Sequence, residues 1–445
     1  MRGVFTSAPG PRPFLKGRSE STRAPAQRAI AAALLLPGRA GEGAQDPMEE
    51  IIGLAEAAGA RVLDSDYQRR DRPDARTAFG KGKVEELGVL CKQHEAELLI
   101  VDNDLSPSQA RNLEEEVCVR VVDRTELILD IFASRARTRE ARWQVELAQM
   151  QYLRPRLRRM WTHLERTEGA IGARGPGETQ LETDRRLVDQ RIYKLRSRLK
   201  EVEKRSLRRV AERGGLVAVS LVGYTNAGKS TLLNRLTGSG VEEADRLFAT
   251  LDTKVSRWKL AAGHEVQLSD TVGFVRDLPH DLVASFTATL EETRSADLLL
   301  HVCDAAHPDL EIRMRAVENV IEEMGASETP VLLVLNRGDL LDVAECRALE
   351  SRWPEALVVS AKTGQGLDAL TEEVGKKLDA WTLHLEMRVP AGEGRLISRL
   401  KSLGKIEEEG FEDDTWWARL RLPPAIWQSI QSALEKAGGT FQSLS

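Results

Sequence analysis

The sequence predicts an α/β protein: a doubly wound parallel sheet, preceded by a small α/β domain with a long helical hairpin and followed by a small α+β domain. Three patterns predict it. Apolar strands recur between helical stretches from Leu216 to about Trp381, as "VAVSLVG", "EVQLSDTVG", "LLLHVCDA", "VLLVLNRGD" and "ALVVSAKTG". Ahead of them, apolar residues repeat at spacings of three and four. Before that, strand and helix patterns alternate over residues 48–133.

The expected divisions follow the composition. Residues 1–47 read as a disordered basic extension, 48–138 as the N-terminal α/β domain and 139–213 as the helical hairpin. Residues 214–382 form the doubly wound domain and 383–445 the closing α+β domain. Residues 1–47 hold seven basic residues (Arg2, Arg12, Lys16, Arg18, Arg23, Arg28, Arg39) against three acids, among Pro, Gly, Ala and Ser. Such a composition buries little. A flexible tail, a start upstream of Met48 and an organellar transit peptide are all open for it. Its "AIAAALLLPG" is too short to span a bilayer, and no run of about 18 apolar residues occurs in the chain.

In order, "MEEIIGLAEAAGARVL" reads as helix then strand, and "AELLIVDN" as a short strand. "SPSQARNLEEE" opens a helix with Ser then Pro, and "VCVRVVD" is the next strand. The hairpin has one seam of Trp143, Leu147, Met150, Leu153, Leu157, Met160 and Leu164, and a second of Val188, Ile192, Leu195, Leu199 and Val202. These apolar stripes are packing surfaces. Between them lies "GAIGARGPGETQ", Gly169 to Gln180. After His384, "MRVP", "TWWARLRLP" and "AIWQSIQSALEKAG" make the α+β domain; packing is the expected role of Trp416 and Trp417, with base stacking as the alternative.

Net charge is −5, but residues 135–213 carry 22 Lys+Arg against 11 Asp+Glu, leaving −16 for the rest. A basic block in an acidic protein suggests a localised surface for a polyanion such as RNA; offset charges on a solvated helical face are the alternative. The four cysteines show no CxxC spacing, which argues against a disulfide frame or a zinc site.

"GYTNAGKS", Gly223 to Ser230, fits the P-loop pattern and sits between an apolar strand and the helix "TLLNRLTG". Backbone amides of Gly223, Tyr224, Thr225, Asn226, Ala227 and Gly228 should meet phosphates, with Thr231 in the following turn. Lys229 should bridge the terminal phosphates, and the Ser230 hydroxyl should bind Mg²⁺. "LSDTVG" supplies Asp270 for the outer Mg²⁺ shell, then Thr271, Val272 and the Gly273 amide for a γ-phosphate. Between them, "LFATLDT" (Phe248, Ala249, Thr250, Leu251, Asp252) offers Thr250 as a second Mg²⁺ hydroxyl. "NRGD" (Asn336, Arg337, Gly338, Asp339) ends another strand. The carboxylate of Asp339 can take two hydrogens from guanine, which adenine lacks, so GTP and GDP are the expected ligands. Arg337 stands where lysine is usual, and its planar fork should change the bonds to the P-loop side. "SAK" (Ser360, Ala361, Lys362) closes the base pocket. Phe274 follows Gly273 where a water-orienting glutamine is common, so intrinsic hydrolysis should be slow and no catalytic base is assigned. His280 and Asp281 read as helix-start residues.

These stretches, with "GARGPGETQLETDRR", "DTVGFVRDLPHDLVASFTATLEET" and "SPSQARNLEE…VVDRTELILDIFASRARTRE", resemble the HflX-type ribosome-associated GTPases from about Met48 to the C-terminus. The resemblance implies a Mg²⁺-dependent P-loop GTPase that binds the large ribosomal subunit and splits stalled or stress-damaged ribosomes. It also implies that the glycine-rich tip reaches toward the peptidyl-transferase region. A monomeric, cytoplasmic protein is expected, or a mitochondrial one if residues 1–47 are a transit peptide. Two other functions stay open: a GTP-gated RNA-binding or anti-association factor in which hydrolysis only drives release, and an ATP-driven RNA remodeller. The last would use the N-terminal domain, where Gly80, Lys81, Gly82 and Lys83 of "FGKGKVEEL" have weak phosphate-binding character. The tip has no strand before it and no Lys-Ser/Thr after it, so it is not a phosphate cradle. Its small residues suit a narrow space, and Arg174, Gly175 and Gly177 are the expected RNA contacts.

Overall fold

The computed structural model describes residues 26–38, 43–157, 176–211, 217–240, 247–248, 254–260, 265–277, 293–380, 383–422 and 424–444. Order begins well before Met48. Gln27–Leu35 is a strand, β1, at an interior position of a four-stranded parallel sheet of order β2-β1-β3-β4 (β2 Ala60–Arg69, β3 Leu98–Val101, β4 Arg120–Asp123). The expectation of a disordered 1–47 is therefore corrected for these residues. The reason is the character of a parallel strand covered on both faces, which reads as a continuous apolar run rather than an alternating one. Ala29, Ala31 and Ala33 face one core, while Ile30, Ala32 and Leu34 face the other.

The helices of this domain are α1 Glu49–Ala58, α2 Lys81–Gln93, α3 Pro107–Val117 and α4 Arg124–Arg135. The expected start of α3 is present as a capping box, with Ser106 as cap, Pro107 at the first turn and Gln109 bonding back. Gly80 caps α2, where a Cβ would lie 2.5 Å from an Arg70 guanidinium nitrogen. Lys83 is committed to Asp66 at 2.8 Å and Glu86 at 2.6 Å. Gly80 and Lys83 are thus engaged within their own domain, while Lys81 and Gly82 are exposed.

The hairpin arms are α5 Arg139–Leu153 and α6 Pro176–Ala211. Leu147, Met150, Ile192 and Leu195 bury against one another, with Trp143, Val188 and Leu199 alongside, as the seam predicts. Arg191 grips Glu146 with two bonds of 2.6 and 2.7 Å. The hairpin is rooted where α5 ends. Arg156 donates to Asp123 Oδ2 (2.9 Å) and lies 3.7 Å over the Tyr152 ring, while the Tyr152 hydroxyl donates to Asp123 Oδ1 (2.9 Å). Burial pushes the Asp123 carboxyl up to about 6 against the pull of Arg156. Gly177 lies inside α6, so the helix starts earlier than the expected loop allows. Arg174 and Gly175 lie outside the described residues, as do Met160, Leu164, Ala249, Thr250, Leu251, Asp252, His280 and Asp281.

The second sheet has six strands in order β10-β9-β8-β5-β7-β6 (β5 Val217–Gly223, β6 Lys254–Lys259, β7 Glu265–Asp270, β8 Leu298–Asp304, β9 Val331–Asn336, β10 Leu357–Val358). Five run parallel, as expected; β6 pairs antiparallel with β7 at the edge and departs from the all-parallel expectation. Its "KVSRWK" is half-exposed and charged, so no apolar run announced it. The helices are α7 Lys229–Thr237, α8 Leu310–Glu323, α9 Val343–Arg352 and α10 Leu367–Ala380.

The last domain runs β11 Leu383–Pro390, α11 Gly394–Leu403, β12 Lys405–Glu412, β13 Thr415–Leu422, α12 Pro424–Lys436, β14 Thr440–Ser443, in sheet order β12-β13-β11-β14. Trp416 is fully buried in its core; Trp417, one residue on, falls on the other face and lies over Gly410. All four cysteines are free. Among the described residues no helix is long and apolar enough to cross a membrane.

The placement of β1 gives a direct test. A chain begun at Met48 lacks a strand that two neighbours pair with. Limited proteolysis should digest its residues 48–135 while leaving a protected fragment from the second sheet. Equal protection of both regions would show that β1 is dispensable.

Candidate active site

The site is built at the C-terminal ends of β5, β7, β9 and β10, the edge where open α/β sheets bind ligands. Gly223 ends β5 so close to β8 that a Cβ would meet the Val302 carbonyl oxygen at 2.2 Å, so only glycine fits. The chain then turns over the sheet and enters α7 with Gly228 at φ +88°. Lys229 is buried and donates to the carbonyls of Gly223 (2.9 Å) and Tyr224 (2.8 Å). Burial lowers its pKa to about 8, with the nearby Asp270 carboxylate opposing the fall. Ser230 donates to Asp270 Oδ2 at 2.6 Å. The two oxygen ligands assigned to the metal shell thus meet, although they are 40 residues apart.

The DTVG segment lies on the P-loop. Thr271 donates to the Leu221 carbonyl (2.6 Å), and Phe274 exchanges backbone bonds with Gly223 (3.1 Å) and Thr225 (2.7 Å). A Cβ on Gly273 would lie 2.9 Å from Thr225 Cα and 3.2 Å from Lys229 Nζ. In this conformation Gly273 therefore sits against the Lys229 amine.

The base pocket assembles by cross-bonding of three loops. Asn336 donates to the Ala227 carbonyl (2.9 Å) and accepts from the Ala361 amide (2.9 Å). Asp339 is positioned by Ser360, which donates to Oδ1 at 2.6 Å. Gly338 packs where a Cβ would meet Val358 at 2.8 Å. Lys362 is exposed beside them. Arg337, in the left-handed region at φ +66°, reaches the P-loop: it donates to the carbonyl and side-chain oxygens of Asn226 (2.9 and 3.2 Å) and pairs with Asp304 at 3.0 Å. A lysine amine in its place would reach one of these sites with a single point charge, not all of them with a fork.

One expectation changes. Phe248 is not turned to nucleotide: it is buried, edge-on to Phe132 of α4 with ring centroids 4.6 Å apart. Phe274 is likewise buried in a core that joins α1 and α4 to Tyr224, Val272, Val275 and α8. An apolar ring is drawn into that seam instead of facing the phosphate side, so it orients no water.

Sequence reasoning missed the polar members of the same seam. Arg124 is buried with Glu50 and Asp102 as ionic partners and donates to the Arg276 carbonyl at 2.6 Å; Arg276 reaches Glu50 at 3.2 Å. Burial alone would push the Glu50 carboxyl up, but Arg124 and Arg276 hold it below its ordinary value. The only sequence signal was charge within otherwise apolar helical faces. Asp304, the partner of Arg337, was visible as an acid ending an apolar strand.

The phosphate loop, the DTVG loop on top of it and the Asn-Arg-Gly-Asp and Ser-Ala-Lys loops at the base pocket define a P-loop GTPase. Family models agree: a GTP-binding GTPase N-terminal region matches residues 45–133, its middle region 135–213, and a 50S ribosome-binding GTPase domain 218–337. The chain belongs to the HflX family of GTPases: it is 47% identical to GTPase HflX of Escherichia coli (strain K12) over 390 residues, 86% of this chain and 92% of that one. GTPase HflX of Magnetococcus marinus is 42% identical over 426 residues, 95% and 98% of the two chains. That of Caldanaerobacter subterraneus is 44% identical over 371, 83% and 86%. The protein hydrolyses GTP.

Replacing Arg337 by Lys should speed GDP release roughly three- to tenfold, the scale of one ordinary net hydrogen bond. Stopped-flow release of a fluorescent GDP measures it, and an unchanged rate would show the fork to be idle.

Proposed function

We propose that this protein is a Mg²⁺-dependent GTPase that acts on the large ribosomal subunit and separates stalled ribosomes, with the hairpin tip probing rRNA. The observation that carries the nucleotide half is the Ser230–Asp270 contact beneath a P-loop whose lysine is already aimed by two carbonyls. A magnesium ion fits this donor set. Among the described residues no group of three or more His, Cys, Asp or Glu could cage a metal. Mg²⁺ suits such a site because it keeps several waters and takes phosphate oxygens besides one or two protein ligands. Ser230 would ligate it directly and Asp270 would hold the outer shell, with Thr250 as the further hydroxyl. Bound there, the ion would neutralise charge on the β- and γ-phosphates.

The protein's own groups supply the rest. The amides from Asn226 to Lys229 bind the phosphate chain, Lys229 balances charge developing on it, and Asp339 with Asn336 selects guanine. With Phe274 in the core, orientation of the attacking water falls to another group. A ribosomal partner that completes the site would make turnover conditional on binding.

Support for the ribosomal half is the charge on the hairpin, 22 basic against 11 acidic residues over 135–213, and the ribosome-binding description of the family model over 218–337. Arg174, Gly175 and Gly177 are the proposed rRNA contacts.

The test is sedimentation with purified ribosomes in GTP, GDP or a non-hydrolysable analogue. GTP turnover should rise at least about tenfold on adding large subunits and should vanish with Lys229→Ala or chelation of Mg²⁺. Arg174→Ala should impair subunit separation while GTP binding persists. Absence of ribosome binding in every nucleotide state would exclude the ribosomal half alone. Separation that proceeds undiminished in the analogue would favour a GTP-gated anti-association factor, and ATP turnover surviving Lys229→Ala would favour an ATP-driven remodeller.

A further inference from the structure

We infer that His301 and Thr225 share a buried water beneath the P-loop, and that through it His301 is a positioning residue that fixes the Thr225 side chain at the border of the space the third phosphate of GTP must enter. The inference rests on the GTPase reading and is independent of the ribosomal proposal.

His301 lies in the middle of β8, between Val222 of β5 and Leu333 of β9, and is 2% exposed. A polar side chain there is out of keeping with a strand that otherwise runs Leu298, Leu299, Leu300, Val302. Between it and the underside of the P-loop is a cavity of about 10 Å³, bordered by Tyr224, Thr225, His301, Cys303, Asp304 and Arg313 among others. That is room for about one water molecule; most of the lining surface is apolar, including Ala227 and Leu310, and the polar side chains that reach it include Thr225 and His301. Two atoms call for such a partner. Nε2 of His301 and Oγ1 of Thr225 are both buried and neither bonds to a protein group. Leaving each orphaned would cost about 1–3 kcal/mol. A single water between them satisfies both and lets the cavity and the histidine be retained together.

Burial, reinforced by the Lys229 charge, lowers the His301 pKa to about 4, so the imidazole is neutral at any working pH. A neutral ring can offer either a donor or an acceptor to the water, and adds no charge behind the phosphates.

The consequence lies on the opposite side of Thr225. Its Cγ2 and Cα lie 2.8 and 2.9 Å from where a Cβ on Gly273 would stand. The methyl thus faces the DTVG loop, and because Thr225 also lines the cavity, its unbonded hydroxyl is the group left for the water. A β-branched side chain has few χ1 states, so holding the hydroxyl holds the methyl as well. Gly273 also lies against Lys229, so the γ-phosphate enters where Gly273, Thr225 and Lys229 now converge. GDP makes no demand on that space. A Thr225 released from its tether should therefore penalise GTP more than GDP.

The experiment is a double-mutant cycle on the full chain with Thr225→Val, His301→Leu and both together, binding fluorescent GDP and a non-hydrolysable GTP analogue. Each single change should lower the ratio of analogue to GDP affinity about threefold or more, and the double should lower it no further, because both cut one link. His301→Asn, which keeps a polar amide, should restore part of the ratio, and it replaces His301→Leu in the cycle if that variant fails to fold. A merely structural role predicts equal loss for both nucleotides with additive effects; that result overturns the inference. So does a high-resolution crystal structure of the wild-type protein in which the cavity is dry.

Discussion

A guanidinium buried at a domain seam holds its place only while its partners do, and Arg124 has partners on both sides. Glu50 and Asp102 belong to the first domain, while the Arg276 carbonyl belongs to the segment that follows DTVG in the second. Removing one member of such a cluster strands the others in a low-dielectric interior, which is far more costly than the cluster is stabilising. Around it, α1 and α4 share one apolar core with Tyr224, Phe248, Phe274, Val275 and α8. The two sheets are thus packed together through the P-loop and DTVG segments. Phe274 and Phe248 are recruited to that core, which explains why neither behaves as a phosphate-side residue.

The hairpin inherits this arrangement. It springs from α5, which follows α4 after a short break, and its root is fixed by Arg156 and Tyr152 on Asp123. The chain of contacts from Gly273 through Arg276, Arg124 and α4 to the root of α5 is continuous. Whatever moves the DTVG loop must either break ionic contacts at the seam or carry the first domain with it. A packed ionic contact of this kind, not a long flexible linker, is what joins these elements.

Much of this was legible. The parallel strands at the P-loop, DTVG, NRGD and SAK loops announced themselves, because each apolar run gives way to a glycine, an acid, an asparagine or a serine that opens a recognisable loop. The seam of the hairpin was readable as far as it is described, since Val188, Ile192, Leu195 and Leu199 follow the heptad spacing and pack as expected. What stayed hidden had the opposite character. β1 is alanine-rich, and alanine carries little strand preference; its burial on both faces comes from neighbours that the sequence places far along the chain. β6 is an edge strand with charges on its open side. Glu50, Arg124 and Arg276 are ordinary surface residues by type, and only the meeting of two domains makes them interior ones. Arg337 looked like a departure from a pattern, yet its fork uses the extra nitrogen on Asp304 and Asn226.

The place of β1 has one further consequence, for the order in which the protein is made. The strand emerges first during synthesis, yet its partners β2 and β3 begin 33 and 71 residues later, at Ala60 and Leu98. Until then its apolar part, residues 29–35, has no sheet to join. Parallel pairing across such separations is slow, and unpaired apolar strands are where nascent chains associate wrongly. The charged residues around it, Arg23 and Arg28 before and Arg39 after, are placed as gatekeepers that keep this stretch soluble while it waits.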